Sequence, residues 1–181
     1  MRQLIIGMHI SIDGFVGDAQ GVPGHATTDD TVVRWIIRSL ADMDTILLGR
    51  VSYEGMAGYW PASTEPLAAP MNSLTKVVFT RTPTESTWPN TRVHTATNAV
   101  TEVARLKRQP GRGMIVVGGA GLARSLITAG LVDEYRLLTH PVALGAGMPL
   151  FGGLTAPLHL RLHDRTEFDT GAVALVYRPA P

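Results

Sequence analysis

Apolar residues come along this chain in short runs separated by polar, glycine-rich or proline-rich punctuation. Runs with strand character fall at 4–12, 45–48, 76–80, 114–117, 134–139, 158–168 and 172–177. Between the early ones the period changes. Val32, Val33, Ile36, Ile37, Leu40 and Met43 recur at steps of one, three and four, which predicts a helix with one apolar face and Thr28 or Asp29 as its N-cap. Val100, Val103, Ala104 and Leu106 repeat that pattern more briefly. Ile46-Leu47-Leu48 and Ile115-Val116-Val117 are apolar throughout, as strands buried on both faces are, and a parallel sheet covered by helices provides that burial. Near the end Leu158, Leu160 and Leu162 alternate with His159, Arg161 and His163; Asp169-Thr170-Gly171 then supplies a turn before Val173, Leu175 and Tyr177 alternate again. This predicts a closing antiparallel hairpin on a mostly parallel sheet, an α/β architecture. The stretch 56–70, rich in Pro and Gly, reads as a long loop, and no internal repeat is present.

The run Ile115-Val116-Val117 breaks into Gly118-Gly119-Ala120-Gly121 and resumes with helical spacing from Leu122. A strand that ends in glycines lets backbone approach a ligand closely, and the helix start beyond offers free N–H groups to an anion. The alternative is a strand-to-helix turn whose glycines serve packing alone. The dinucleotide fingerprint G-x-G-x-x-G is not met, because Arg124 stands where its third glycine belongs.

A chain of 181 residues fits a single domain, 1–181, large enough for a continuous core. With 45% apolar residues, 17% charged residues and a net charge of +1, it lacks the basic surface of a nucleic-acid binder. No run reaches the length of a membrane span, and the first seven residues read as a strand, not a signal peptide. The absence of cysteine excludes disulfides and thiolate chemistry and makes a cytoplasmic location the default. Six histidines without metal-ligand spacing point to no metal, and no G-x-S-x-G supports serine hydrolysis.

Two further strand ends carry anion donors, Gly49-Arg50-Val51-Ser52 and Thr80-Arg81. In an open α/β sheet, ligands bind outside the carboxyl ends of the strands, so these ends converge with the glycine turn on one crevice. Arg50 and Arg81, with the hydroxyls of Ser52 and Thr80, suit the extra phosphate that separates NADPH from NADH. Two arginines standing in solvent are the competing reading.

Five segments, at 10–16, 44–53, 77–81, 116–122 and 131–151, together resemble the dihydrofolate reductase-like family, specifically its bacterial branch with the riboflavin-biosynthesis reductase domain. They span nearly the whole chain in the family's order. The resemblance implies a dihydrofolate reductase-like three-layer fold with a mostly parallel eight-stranded sheet, NADPH as cofactor and hydride transfer to a small heterocycle. By it Gly49, Arg50, Ser52, Thr80 and Arg81 match cofactor-phosphate positions, and Gly118, Gly119, Ala120, Gly121 and Leu122 match the turn beneath pyrophosphate and nicotinamide. It implies a riboflavin-pathway ribosylaminopyrimidine as substrate; pterin reduction and a non-catalytic nucleotide-binding module are the alternatives.

The chain departs from true dihydrofolate reductases on the first helix, where residues 27–35 carry no Leu-Pro before an acid and an aromatic. Asp29 and Asp30 are either that acid or helix-capping and first-turn acids. Asp13, after the first strand and before Gly14, is the expected proton donor, with an Asx turn as the alternative. Ser11, Asp13, Trp35 and Tyr53 are the expected substrate residues, while Tyr59 and Trp60 either cap the substrate or bury against the sheet. His9 is a weaker acid candidate. The apolar residues of 141–153 and the edges of the closing hairpin predict a homodimer.

Overall fold

A computed structural model describes residues 1–17, 26, 28–82, 84–95 and 98–181. Eight strands form one sheet: β1 (Leu4–Ser11), β2 (Met43–Gly49), β3 (Thr75–Phe79), β4 (Thr91–His94), β5 (Gly113–Val117), β6 (Glu134–His140), β7 (Leu160–Glu167) and β8 (Val173–Pro179). Their order is β4-β3-β2-β5-β1-β6-β8-β7, parallel from β4 to β6. β8 then runs antiparallel to β6, and β7 pairs antiparallel on its outer side with a bulge between Leu162 and Asp164. The closing hairpin and the parallel centre therefore stand as expected.

Alternation along the strands divides the core between two faces. Leu4, Ile6, Met8 and Ile10 of β1 pack with Val103 and Leu106 of α4 (Ala99–Lys107) and Ala123 and Leu126 of α5 (Ala120–Thr128). Ile5, Ile46, Leu48 and Ile115 face the other way, toward Leu40 of α1 (Asp30–Leu40), Tyr53 of α2 (Arg50–Ala57) and Met71 of α3 (Ala68–Ser73). Each fully buried Leu, Ile or Val side chain among these contributes about 1.5–3 kcal/mol, so the wholly apolar strands lock the three layers together.

Three elements differ from the sequence reading. β4 has a single strongly apolar residue, Val93, and no hydrophobic pattern marks it; its register against β3 defines it as an edge strand. The stretch 56–70 is not one loop: α2 continues to Ala57, Trp60–Ala62 forms a 3₁₀ turn and α3 begins at Ala68. The apolar stripe that ran on to Met43 stops at Leu40, and Met43 opens β2 instead. Asp29 settles the start of α1, with its Oδ1 accepting from the N–H groups of Thr31 and Val32, each at 2.9 Å. Thr27 lies outside the described residues.

Candidate functional site

A cavity of about 1280 Å³ lies along the carboxyl ends of the parallel strands. All ten residues expected to hold a cofactor line it: Gly49, Arg50, Ser52, Thr80, Arg81, Gly118, Gly119, Ala120, Gly121 and Leu122. Local sequence explains the convergence. β2 and β5 are adjacent; β2 ends at Gly49 and runs directly into α2, and β5 reaches α5 through Gly118 and Gly119. Gly118 and Gly119 both adopt left-handed backbone, φ +72° and +74°, which a side chain would strain. A methyl group on Gly119 would stand 3.2 Å from Ser52 Oγ and 3.7 Å from the Gly49 nitrogen, so the N-termini of α2 and α5 meet at this point. Neither helix has a side-chain cap, and the first-turn N–H groups of both lack intrahelical partners. Two positive dipole ends thus face one cavity, an arrangement that stabilises a pyrophosphate.

The flanking donors are not equivalent. Arg50 is half-exposed and spends its Nη1 on Glu54 one turn along α2, at 2.9–3.0 Å. Arg81 is exposed, lines the same cavity and has no ion-pair partner among the described residues. Thr80 is buried and its hydroxyl shapes the following turn, donating to the Thr82 carbonyl at 2.7 Å and accepting from the Thr82 N–H at 3.1 Å. These residues supply the cationic and hydroxyl donors that a phosphorylated nucleotide takes, with Arg81 the less engaged of the two arginines.

The expected substrate residues divide. Trp35 lines the cavity from α1, half-buried and edge-on to Phe168 with ring centroids 6.4 Å apart. Tyr53 does not: it is 1% exposed, packed in the core, and its hydroxyl accepts from the N–H groups of Thr87 and Trp88 at 3.0 and 3.2 Å. Ser11 and Asp13 also lie outside the cavity lining. The Asp13 carboxylate accepts from Ser11 Oγ at 2.5 Å and from the N–H groups of Leu144 and Gly145 at 3.2 and 2.8 Å. The Ser11 hydroxyl, with the Gly145 N–H, holds this carboxyl down at about 2, so at neutral pH it has no proton to give. This bonding weighs against Asp13 as the proton donor. It clasps the segment after β6 to the end of β1, a join extended by Ile12 N–H to Val142 O at 2.9 Å and Val16 N–H to Met148 O at 2.9 Å.

Beyond the expected set, β1, β6 and α1 contribute His9, Leu138 and Ile36, and the clasped segment brings Val16 and Met148. Leu138 and Ile36 read in sequence as ordinary core residues and Met148 as part of the apolar segment 141–153; their shared opening is a tertiary feature. His9 stacks on the buried His140, centroids 5.1 Å apart, with Nδ1 2.9 Å from His140 Nε2. Tyr59 stands outside the lining and bonds Glu65, whereas Trp60 lines the cavity. Among the described residues no cluster of three or more metal-ligating side chains occurs, and no helix is long and apolar enough to cross a membrane.

The family model of the RibD C-terminal domain matches residues 2–174. The chain is 34% identical over 181 residues to YyaP of Bacillus subtilis (strain 168), covering 97% of this chain and 94% of YyaP. Among solved structures it resembles the deaminase/5-amino-6-(5-phosphoribosylamino)uracil reductase of Thermotoga maritima, with a TM-score of 0.70 at 14% identity over 99% of this chain and 57% of that one. It also resembles the dihydrofolate reductase of Enterococcus faecalis complexed with NADP(H), with a TM-score of 0.67 at 15% identity over 99% and 97% of the two chains. The sheet order and helix layers are thus those of the dihydrofolate reductase-like fold. With the match running from the second residue through β8's first positions, the chain belongs to the RibD C-terminal domain family.

Proposed function

We propose that this protein is an NADPH-dependent oxidoreductase that reduces a small heterocyclic substrate, in the manner of the riboflavin-pathway reductases that give the family its name. The observation that carries this reading is the meeting of two uncapped helix N-termini beside Arg81 in one cavity at the carboxyl ends of a parallel sheet. The nicotinamide, when bound, supplies the hydride and its electron pair. The chain's own residues bind and orient. Gly118 and Gly119 admit the pyrophosphate close to backbone, Ser52 and the first turns of α2 and α5 donate to it, and Arg81 with Arg50 takes the additional phosphate. Trp35, Ile36 and Leu138 wall the part of the cavity left for the acceptor ring and exclude water from it. His9 is the lining side chain nearest in chemistry to a proton donor, since the other titratable groups among the described lining residues are arginines.

Titration of NADPH and NADH against the protein tests the cofactor. We expect NADPH to bind the more tightly, and failure of both to bind at millimolar concentration would sink the reading. Oxidation of NADPH in the presence of 5-amino-6-(5-phosphoribosylamino)uracil, a dihydropterin or a carbonyl panel then tests turnover. A non-catalytic nucleotide-binding module is the second reading, favoured by one observation: no Asp or Glu lines the cavity among the described residues. Tight NADPH binding without oxidation on any acceptor would select it. Cytoplasmic localisation and a homodimer belong to the same proposal, the first supported by the cysteine-free composition and the second by the exposed β7 edge.

A further inference from the structure

Of the 16 Lys and Arg residues in this chain only Lys76 and Lys107 are lysines, and both are buried. Lys107 meets the Asp133 carboxylate and the Leu131 carbonyl. Lys76 is 0% exposed on β3, and among the described residues no carboxylate bonds it. Its ammonium donates instead to the carbonyls of Met71 and Asn72, at 3.3 and 2.9 Å, and stands 4.5 Å from the centre of the Trp88 ring. Those carbonyls belong to the last turn of α3, a helix of 6 residues without a side-chain cap, too short to hold itself in place. The Asn72 side chain extends the contact in two directions: Oδ1 accepts from Trp88 Nε1 at 2.6 Å, and Nδ2 donates to the Trp60 carbonyl at 3.0 Å. Trp60, Leu67 and Met71 line the cavity. One buried cation therefore stands behind the stretch of wall that α3 and the 3₁₀ turn supply.

We propose that Lys76 is a positioning residue for the cavity, whose buried ammonium fixes the last turn of α3 and, through Asn72, the place of Trp60 in the wall. A methionine would fill the same space without taking a charge out of water, so packing alone does not call for lysine here. What methionine lacks is the set of N–H donors that meets two carbonyls of α3 and the face of an indole. The charge is kept at a cost. Burial pushes the Lys76 amine down to about 8 from its ordinary 10.5, so the unfolded chain holds this proton more firmly than the folded one, and stability rises with pH between those values. An ion pair kept for stability would show the opposite sign. A buried charge that does not stabilise the fold can still select one arrangement of its neighbours, and the neighbours here are the wall of the cavity. The titratable groups on the elements around it are engaged elsewhere or exposed: the Tyr53 hydroxyl accepts from the backbone of residues 87 and 88, Glu54 pairs with Arg50, Asp44 pairs with Arg2, and Glu85 and Arg92 stand in solvent. Loss of the Lys76 proton leaves a neutral amine with one donor fewer, which weakens its hold on the ring and on the α3 carbonyls together.

With only Lys76 and Lys107 as lysines and Trp35, Trp60 and Trp88 as tryptophans, each side chain gives a separate signal. The full chain, without ligand, carries ¹³C at the lysine ε-carbons and ¹⁵N at the indole nitrogens, and is followed by NMR from about pH 7 to about pH 10, across the range between the two Lys76 values. Lys76→Met, Trp60→Phe and Trp88→Phe assign the signals. We expect the Lys76 ε-carbon to titrate near 8, with the indole N–H signals of Trp88 and Trp60 moving at the same midpoint and that of Trp35, on α1, holding still. In Lys76→Met both movements vanish. Asn72→Ala carries the same test without touching Lys76 or the two backbone carbonyls: Trp88 should still titrate, and Trp60 should not. A Trp60 signal that ignores the titration of Lys76 in the parent chain, or still follows it in Asn72→Ala, overturns the proposal. No nucleotide is present, so the result is independent of the reductase reading.

Discussion

Arg50 and Arg81 look alike in sequence and differ in what surrounds them. Glu54 already neutralises much of Arg50, whereas Arg81 keeps its charge for a ligand. We predict that Arg81→Ala weakens NADPH binding by about 1–3 kcal/mol and leaves NADH nearly unchanged, with Arg50→Ala giving the smaller loss of the two. Calorimetric titration of both nucleotides checks this, and an equal loss for NADPH and NADH would refute the assignment. Asp13 carries a prediction of the opposite kind. Its carboxyl titrates at about 2 in the folded chain against an ordinary value of 3.8, so its contribution to stability is fully present above 3.8 and disappears as pH falls through about 2. Asp13→Asn should therefore lower the melting temperature at neutral pH, with the gap to the parent narrowing in acid. The variant should leave the pH dependence of NADPH oxidation in place; loss of an acidic limb on that profile would restore Asp13 as the proton donor.

At the scale of elements, the helix that departs most from true dihydrofolate reductases is also the one whose acids have the plainest structural duty. Asp29 caps α1 through two backbone N–H groups, and Asp30 occupies the first turn, where a negative charge complements the helix dipole. We predict that Asp29→Ala costs about 1 kcal/mol of stability and leaves NADPH affinity unchanged. Chemical denaturation with a parallel NADPH titration separates the two effects, and a drop in affinity matching the drop in stability would count against a purely capping role. The same helix was legible from its apolar stripe, as were α4 and α5 from theirs. α2, α3 and β4 were not, since they are short and their ends are set by packing onto β2 and β3 instead of by caps or period.

For the whole molecule, the apolar material that suggested a homodimer is largely used within the chain. Leu150 is fully buried, Phe151 packs on Tyr135 with centroids 5.8 Å apart, and Met148 turns into the cavity. What is left open is the β7 edge, where Leu162 is 47% exposed among the charged residues Arg161, Asp164 and Arg165. Of the two features behind the homodimer proposal, the segment 141–153 and the hairpin edge, only the edge remains. Light scattering at micromolar concentration should give twice 19.4 kDa, and Leu162→Lys should return the mass to 19.4 kDa. A single-chain mass that persists as concentration rises would remove the dimer.

Taken by itself, the sequence determined the layer order of this protein, because strands such as Ile46-Leu47-Leu48 and Ile115-Val116-Val117 can be buried only between two layers of helices. It also determined the glycine-lined half of the cavity, since glycines at the end of a parallel strand and a helix start after them are local features whose meeting place the sheet topology dictates. Which titratable side chain reaches the cavity was decided only in three dimensions. Asp13, Ser11 and Tyr53 carry the right functional groups in plausible places, yet two are consumed in clasping residues 144 and 145 to β1 and the third in binding the backbone of residues 87 and 88. Hydrogen-bond partners more than thirty residues away leave no trace in local pattern. The apolar half of the cavity was hidden for the same reason, because Ile36 and Met148 carry no local mark of the opening they share with the buried Leu138.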